Sequence, residues 1–392
     1  MEKKYLIVNT GSASKKYSLY ESEKEVIRVH LEKVAEGFLC NLSKDGNIEK
    51  ITATSSDYEN SVEYVINSMI AKGVISKKED ISAIGIRVVA PSDYFAENRI
   101  VDDEFVGKLE EVKEEAPIHL SLLFSEIKSL KNNFGGIPLI ATSDSAFHKE
   151  MPLRSRLYAI PVETSKELDL YRFGFHGISI RSILSKVEKT IGNLPSKVIV
   201  CHLGGGSSIT AVKDGKSVDT SMGLTPLEGL PMATRVGDID PGAILYLMRR
   251  MKKTPDEIAN FLNYECGLKG LSGRSADLRE LIKAEGEGDV NSKTAIEILS
   301  YRIKKYIGSY IASLNGLDLL VFSGTIGEFS YILRSRICEN LDCFGISLDN
   351  EKNNNTVGAD GFIEKENSSV KIAVVNTDEM LEIAKETSVF FN

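Results

Sequence analysis

Apolar residues in this chain fall into short runs separated by longer amphipathic stretches. The run at residues 5–8 (Tyr5, Leu6, Ile7, Val8) is of strand length, the polar stretch 9–14 reads as a turn, and a second strand is predicted near 16–20. Roughly 190 residues later the same hairpin-like unit returns. It has a strand over 197–201, the turn Gly204-Gly205-Gly206-Ser207-Ser208, a strand over 209–212, and a Lys213-Asp214-Gly215-Lys216 turn into a further strand. Two copies of one supersecondary unit predict a duplicated core. Helical periodicity marks 61–72, 103–114, 120–130 and 179–187, with strands at 81–89 and 137–142. Helices follow over 241–251, 254–265 and 290–315, then strands at 319–323 and 371–375. The last helix runs from 379 to about 389, with Thr377 as its expected N-cap. Strands alternating with helices place the chain in the α/β class. Because no Pro- or Ser-rich linker separates the halves, the boundary at 144–151 is inferred from the repeat alone.

Composition narrows the partners. At 392 residues the chain has room for two to three domains of about 150 residues. Lys+Arg 48 against Asp+Glu 56 leaves a net charge of −8, the wrong sign for a surface that releases counterions from nucleic acid, so an anionic ligand must be held by local cations. The five cysteines are scattered, odd in number and form no C-x-x-C, which indicates reduced thiols and neither a disulfide framework nor a zinc ribbon. The apolar run after the N-terminal lysines is too short for a signal peptide, and no stretch approaches the ~20 apolar residues of a membrane span. A cytoplasmic protein with no membrane partner is expected.

Candidate chemistry lies in turns and isolated cations. Small-residue turns expose successive backbone N–H groups to phosphate oxygens, and Gly204-Gly205-Gly206-Ser207-Ser208 and Gly324-Thr325-Ile326-Gly327-Glu328 both read as such turns. Each alone is equally an ordinary tight turn. The common nucleotide motifs fail: Thr210 stands where a P-loop ending at Lys216-Ser217 needs glycine, and Ile209 where a dinucleotide fingerprint does. His119, His148, His176 and His202 border proline or small-residue segments, without metal-binding spacing. Arg87, Arg235 and Arg279 each offer a fork of donors suited to carboxylate or phosphoryl oxygens, though a lone arginine is as readily a surface salt bridge.

Longer strings decide between these readings. The segment 219–230 (DTSMGLTPLEGL) followed by 232–241 (MATRVGDIDP) closely resembles the signature of acetate kinases and their propionate-kinase relatives. Asn9-Thr10-Gly11-Ser12-Ala13-Ser14-Lys15-Lys16 resembles that family's first signature, and Arg172-Phe173-Gly174-Phe175-His176-Gly177 its R-[YF]-G-F-H-G segment. Matches at Ala116-Pro117-Ile118-His119, Asp144-Ser145-Ala146-Phe147-His148, 270–279 and Thr377-Asp378-Glu379 follow in family order along essentially the whole chain. The resemblance implies a two-domain α/β protein with the duplicated ribonuclease-H-like core of the sugar kinase, actin and heat-shock chaperone superfamily. Its active site would lie in the cleft between domains 1–147 and 148–376, with 377–392 packing back on the first. It further implies reversible transfer of phosphate from ATP to acetate, with magnesium or manganese, usually in a homodimer.

Carried over by motif, Arg87 and Arg235 would flank the carboxylate and the moving phosphoryl group, and His176 and His119 would donate to its oxygens. Asp144 matches an essential acid. Acetate is already ionised, so Asp144 is read as orienting an arginine or the metal, with Asn9 and Glu379 at the metal positions. Ser12, Ser14 and Lys16 would meet the nucleotide phosphates. His202, Leu203, Gly204, Gly205, Gly206, Asp277, Leu278, Arg279, Thr325, Ile326, Gly327, Glu328 and Phe329 would hold the nucleotide, and Val89, Ile118, Phe175 and Pro226 the acyl methyl. This chain departs from the family pattern at Ile86 and Ala90, which replace histidines beside Arg87, at Gly205 in place of asparagine, and at Thr325 and Phe329 in the late glycine segment. Two alternatives stand beside acetate: propionate as acceptor, or a catalytically weak regulatory protein of the same fold.

Overall fold

The computed structural model describes residues 2–11, 14–34, 37–112 and 117–391, with the side chains at 117–119 outside the description. The chain divides into two compact units, residues 1–146 with 378–392, and residues 147–377.

The first unit is built on an eight-stranded sheet. Its strands are β1 (Lys4–Thr10), β2 (Ser14–Glu21), β3 (Lys24–Val34), β4 (Gly37–Lys44), β5 (Asn47–Ala53), β6 (Ala83–Val88), β7 (Arg99–Ile100) and β8 (Leu139–Ser143), in the order β5-β4-β3-β2-β1-β6-β8-β7. Strands β1 to β5 form an antiparallel meander, whereas β1, β6 and β8 run parallel. Residues Tyr5 to Val8 are buried on both faces, which is why β1 shows as an uninterrupted apolar run in the sequence. The C-terminal helix Glu379–Phe391 covers one face, lying over β1, β6 and β8.

The second unit repeats this plan with six strands. They are β9 (Lys197–Leu203), β10 (Ser207–Lys213), β11 (Lys216–Thr220), β12 (Leu319–Ser323), β13 (Gly361–Phe362) and β14 (Lys371–Val374), ordered β11-β10-β9-β12-β14-β13. Strands β9, β10 and β11 are antiparallel, and β9, β12 and β14 parallel. The pattern β3-β2-β1-β6-β8 therefore recurs as β11-β10-β9-β12-β14, a duplicated ribonuclease-H-like core in a mixed α/β protein. The 25-residue helix Val290–Leu314 packs Ile296, Leu299, Ile303 and Ile307 into the core of this unit. Among the described residues no helix is long and apolar enough to cross a membrane.

Three local readings need correction. Strands β3 to β5 escape a search for apolar runs because only alternate residues enter the core (Ile27, Val29, Leu31, then Cys40 and Leu42) while charged neighbours face outward. Residues Gly324–Phe329 form a short helix directly after β12, not a turn between strands. Gly324 makes that bend possible: at φ 74° its missing Cβ would stand 2.6 Å from the Leu203 carbonyl oxygen. The N-cap of the last helix is Asp378, whose Oδ1 accepts the Leu381 N–H at 3.1 Å. Thr377 instead hydrogen-bonds Ser179.

Candidate active site

Strand parity assembles the first group of side chains. Register pairs Asn9 with Lys16, Ile7 with Gly85, and Arg87 with Thr142. Residues two apart share a face, so Lys16, Asn9, Arg87 and Asp144 come to one side at the ends of β2, β1, β6 and β8. That is also the side where the C-terminal helix begins at Glu379. Arg87 Nη2 donates to Asp144 Oδ2 at 2.8 Å, and its Nη1 lies 3.5 Å from Asn9 Oδ1 and 3.7 Å from Glu379 Oε2. Asn9 Nδ2 donates to Glu379 Oε2 at 3.0 Å. Burial opposes the Arg87 charge, but Asp144 and then Glu379 outweigh it and raise the guanidinium pKa above its ordinary value. Asp144 is only 1% exposed, and its backbone N–H is fixed by the Val88 carbonyl at 2.9 Å. Ser14 opens β2, and Val89 is half-buried just past β6.

A second group assembles in the other unit around the β9–β10 hairpin. The Gly204 N–H donates back to Gly206 O at 3.1 Å and to Ser207 Oγ at 3.2 Å, closing the glycine turn. A Cβ on Gly206 would stand 3.3 Å from Arg235 Nη1 and 3.4 Å from His176 Nε2, so a guanidinium and an imidazole meet over one peptide. His176 has φ 62° and directly precedes helix Gly177–Ile191. Its Nδ1 is 3.0 Å from Ser208 Oγ, which directs Nε2 toward Gly206. The His202 ring lies 4.3 Å from that of His176, with Nδ1 at 2.7 Å from Ser179 Oγ. Arg235 Nη1 also donates to the Pro226 carbonyl at 3.2 Å.

Beside the hairpin opens a cavity of about 750 Å³. Gly205, Asp277, Leu278, Arg279, Thr325, Ile326 and Phe329 line it, as do Ala233, Ala276, Ile282, Ser330, Tyr331 and Ile332, which sequence reading does not single out. Asp277 caps helix Leu278–Gly286 by accepting the Arg279 N–H, and pairs with the Arg279 guanidinium. Phe329 is 54% exposed, with one edge held against Gly358.

Several residues expected at the nucleotide or at the acyl group have other partners in the structure. The Leu203 side chain belongs to the core, and Gly327 packs against β9 and β12. Glu328 turns inward, its Oε1 accepting N–H groups from Gly324 at 3.0 Å and Thr377 at 3.3 Å, and burial raises its carboxyl pKa. The Phe175 ring is 1% exposed, while its carbonyl accepts from His148 Nε2 at 3.0 Å. Ser12 and the side chains of Ile118 and His119 lie outside the described residues.

Asn9 turns its Nδ2 to Glu379 Oε2 and its Oδ1 toward Arg87 Nη1, so an amide and a carboxylate, both carrying oxygen donors suited to a hard cation, stand side by side. No group of three or more His, Cys, Asp or Glu that could hold a metal occurs among the described residues. A magnesium ion held by the pair would take the Asn9 oxygen with the amide turned over, and would keep water and phosphate as its other ligands.

The acetokinase family model matches residues 4–385. An acetate kinase of Lachnoclostridium phytofermentans is 40% identical over 391 residues, 98% of both chains. The crystal structure of Porphyromonas gingivalis acetate kinase superposes with a TM-score of 0.88 at 33% identity over 100% of both chains. That of a propionate kinase from Francisella tularensis does so with 0.89 at 35% identity over 99% of both. Matched through nearly its whole length, the chain belongs to the acetokinase family.

Proposed function

We propose that this protein catalyses reversible phosphoryl transfer between ATP and acetate, giving acetyl phosphate and ADP. The observation that carries the reading is the meeting of Arg235 and His176 over the Gly206 peptide, next to a cavity with room for a nucleoside. A carboxylate oxygen forms the new P–O bond as the bond from the γ-phosphorus to the bridging β,γ oxygen breaks and ADP carries the electron pair away. Acetate is already ionised, so no base is required, and the chain's work is alignment and charge neutralisation.

Arg235 and His176 donate to the oxygens of the phosphoryl group, where each such donor contributes about 10² to 10³ in rate. Arg87 neutralises the carboxylate and phosphoryl charge, and Asp144 holds its guanidinium plane. Lys16 and the glycine turn take the phosphates, and the base enters the cavity lined by Thr325, Ile326 and Phe329. Asn9 and Glu379 would hold magnesium, whose positive charge would offset the negative charge of the phosphate oxygens. The Francisella structure supports propionate as a second acceptor, because one methylene separates the two acids by only about 1 to 3 kcal/mol in an apolar pocket.

Trapping the acyl phosphate with hydroxylamine tests the reading. Acetate, propionate and butyrate are each assayed with ATP or GTP and magnesium. Hydroxamate is expected with acetate and, less efficiently, propionate. No product from any acid overturns the proposal.

A further inference from the structure

Residues 224–228 form a short arch in front of Arg235, and both ends of it are tied to one oxygen atom. The hydroxyl of Tyr158 accepts the Leu224 N–H at 2.9 Å and donates to Glu228 Oε2 at 2.6 Å. At the middle stands Pro226, whose carbonyl receives Arg235 Nη1. Arg172 braces the same arch from behind. Its Nη2 binds the other Glu228 oxygen at 2.6 Å, and its Nη1 lies 3.4 to 3.5 Å from the carbonyls of Thr220, Ser221 and Met222, which lead into the arch. Beyond the arch, Gly229 donates to Asp238 Oδ1 at 2.9 Å, and Tyr306 donates to Asp238 Oδ2 at 2.7 Å. No side chain fits at position 223, because a Cβ on Gly223 would overlap both Glu228 Oε2 and the Tyr158 hydroxyl. Burial and the neighbouring Glu228 carboxylate keep the phenol protonated.

We propose that the Tyr158 hydroxyl is a positioning group for the acid side of the reaction. By closing the 224–228 arch it places the Pro226 carbonyl and wall, and through that carbonyl the guanidinium of Arg235. Tyr158 touches no reacting atom in this role. The inference rests on the proposed phosphoryl-transfer reading and adds a residue of the chain that the family signatures quoted above do not include. Its effect is confined to one substrate: the arch residues do not line the nucleotide cavity, so loosening the arch should impair use of the carboxylic acid and leave nucleotide binding alone.

Tyr158→Phe keeps the ring and removes the hydroxyl. With ATP saturating and acetate varied, kcat/KM for acetate should fall about 10- to 100-fold, the scale expected for slight misplacement of a catalytic group. The affinity for the fluorescent probe mant-ADP should stay within twofold of the wild type. Gly223→Ala pushes a methyl between the same two groups and should give the same acid-selective loss; it decides the matter should Tyr158→Phe not fold. Values of kcat/KM for acetate within twofold of the wild type overturn the inference, as does a parallel loss of mant-ADP affinity, the mark of a merely structural role. A wild-type protein that forms no acyl phosphate defeats the activity itself; an active wild type with an indifferent Tyr158→Phe defeats only the positioning role.

Discussion

Single residues carry the charge logic of the proposed site. Arg87 is held by two carboxylates, and Arg235 Nη1 donates to the Pro226 carbonyl and lies against the Met232 sulfur. Arg235 meets His176 over the Gly206 peptide, where a phosphoryl group would take donors from both. Arg235→Ala should therefore lower kcat by about 10² or more, while circular dichroism and mant-ADP affinity stay at wild-type values. Near-normal turnover would contradict the role given to Arg235. Sequence motifs bring Arg87, Asp144, His176 and Arg235 into view. They do not show that Glu328 faces its own backbone or that the Phe175 ring is buried, because both depend on which neighbours fill the space around the side chain.

At the scale of elements, the C-terminal helix has to sit close to β6 for Glu379 to reach Arg87. Gly85 permits that approach, since a Cβ there would overlap Thr387 Oγ1 and stand 3.0 Å from Ile383 Cγ2. Gly85→Ala should destabilise the fold by about 1 to 3 kcal/mol through overpacking and raise the magnesium concentration needed for half-maximal activity. Gly107, inside helix Asp103–Glu111, has open space around its Cβ position and is the matched control. Gly107→Ala should stabilise by about 0.5 to 1 kcal/mol through helix propensity. Urea titration of the two variants checks both signs, and equal midpoints would remove the packing argument. The repeat of the hairpin unit is legible from β1 and β9 because fully buried strands read as apolar runs. The half-exposed β3 to β5 are not, since period-2 alternation over short spans is diluted by charge.

For the whole molecule, the distribution of buried phenols dictates how stability responds to alkali. Burial raises the pKa of Tyr17, Tyr20, Tyr64, Tyr158, Tyr306 and Tyr310 above the ordinary value of 10.0. A folded-state pKa above the unfolded one leaves its stabilisation complete below pH 10 and lost as pH rises further. Arg334 acts in the opposite sense: its guanidinium is wholly buried among backbone carbonyls and Asn353, and burial pushes it down to about 10. One arginine does not offset six phenols. The buried Tyr17, Tyr20 and Tyr310 each lose stabilisation as pH rises above 10. Calorimetry should show Tm steady from pH 8 to 9.5 and falling steeply beyond 10, and a Tm unchanged at pH 11 would contradict this assignment.

The sequence by itself determines the α/β class, the doubled hairpin unit and the family, because apolar run length and contiguous motifs are local properties of the chain. Only the tertiary structure decides that Asn9 and Glu379, separated by 370 positions, share a hydrogen bond, and that one phenol oxygen closes the arch before Arg235. Parity says which face of a strand a side chain takes. Which strand lies next to it, and which distant donor meets it there, follows from sheet order and packing, which no local pattern encodes.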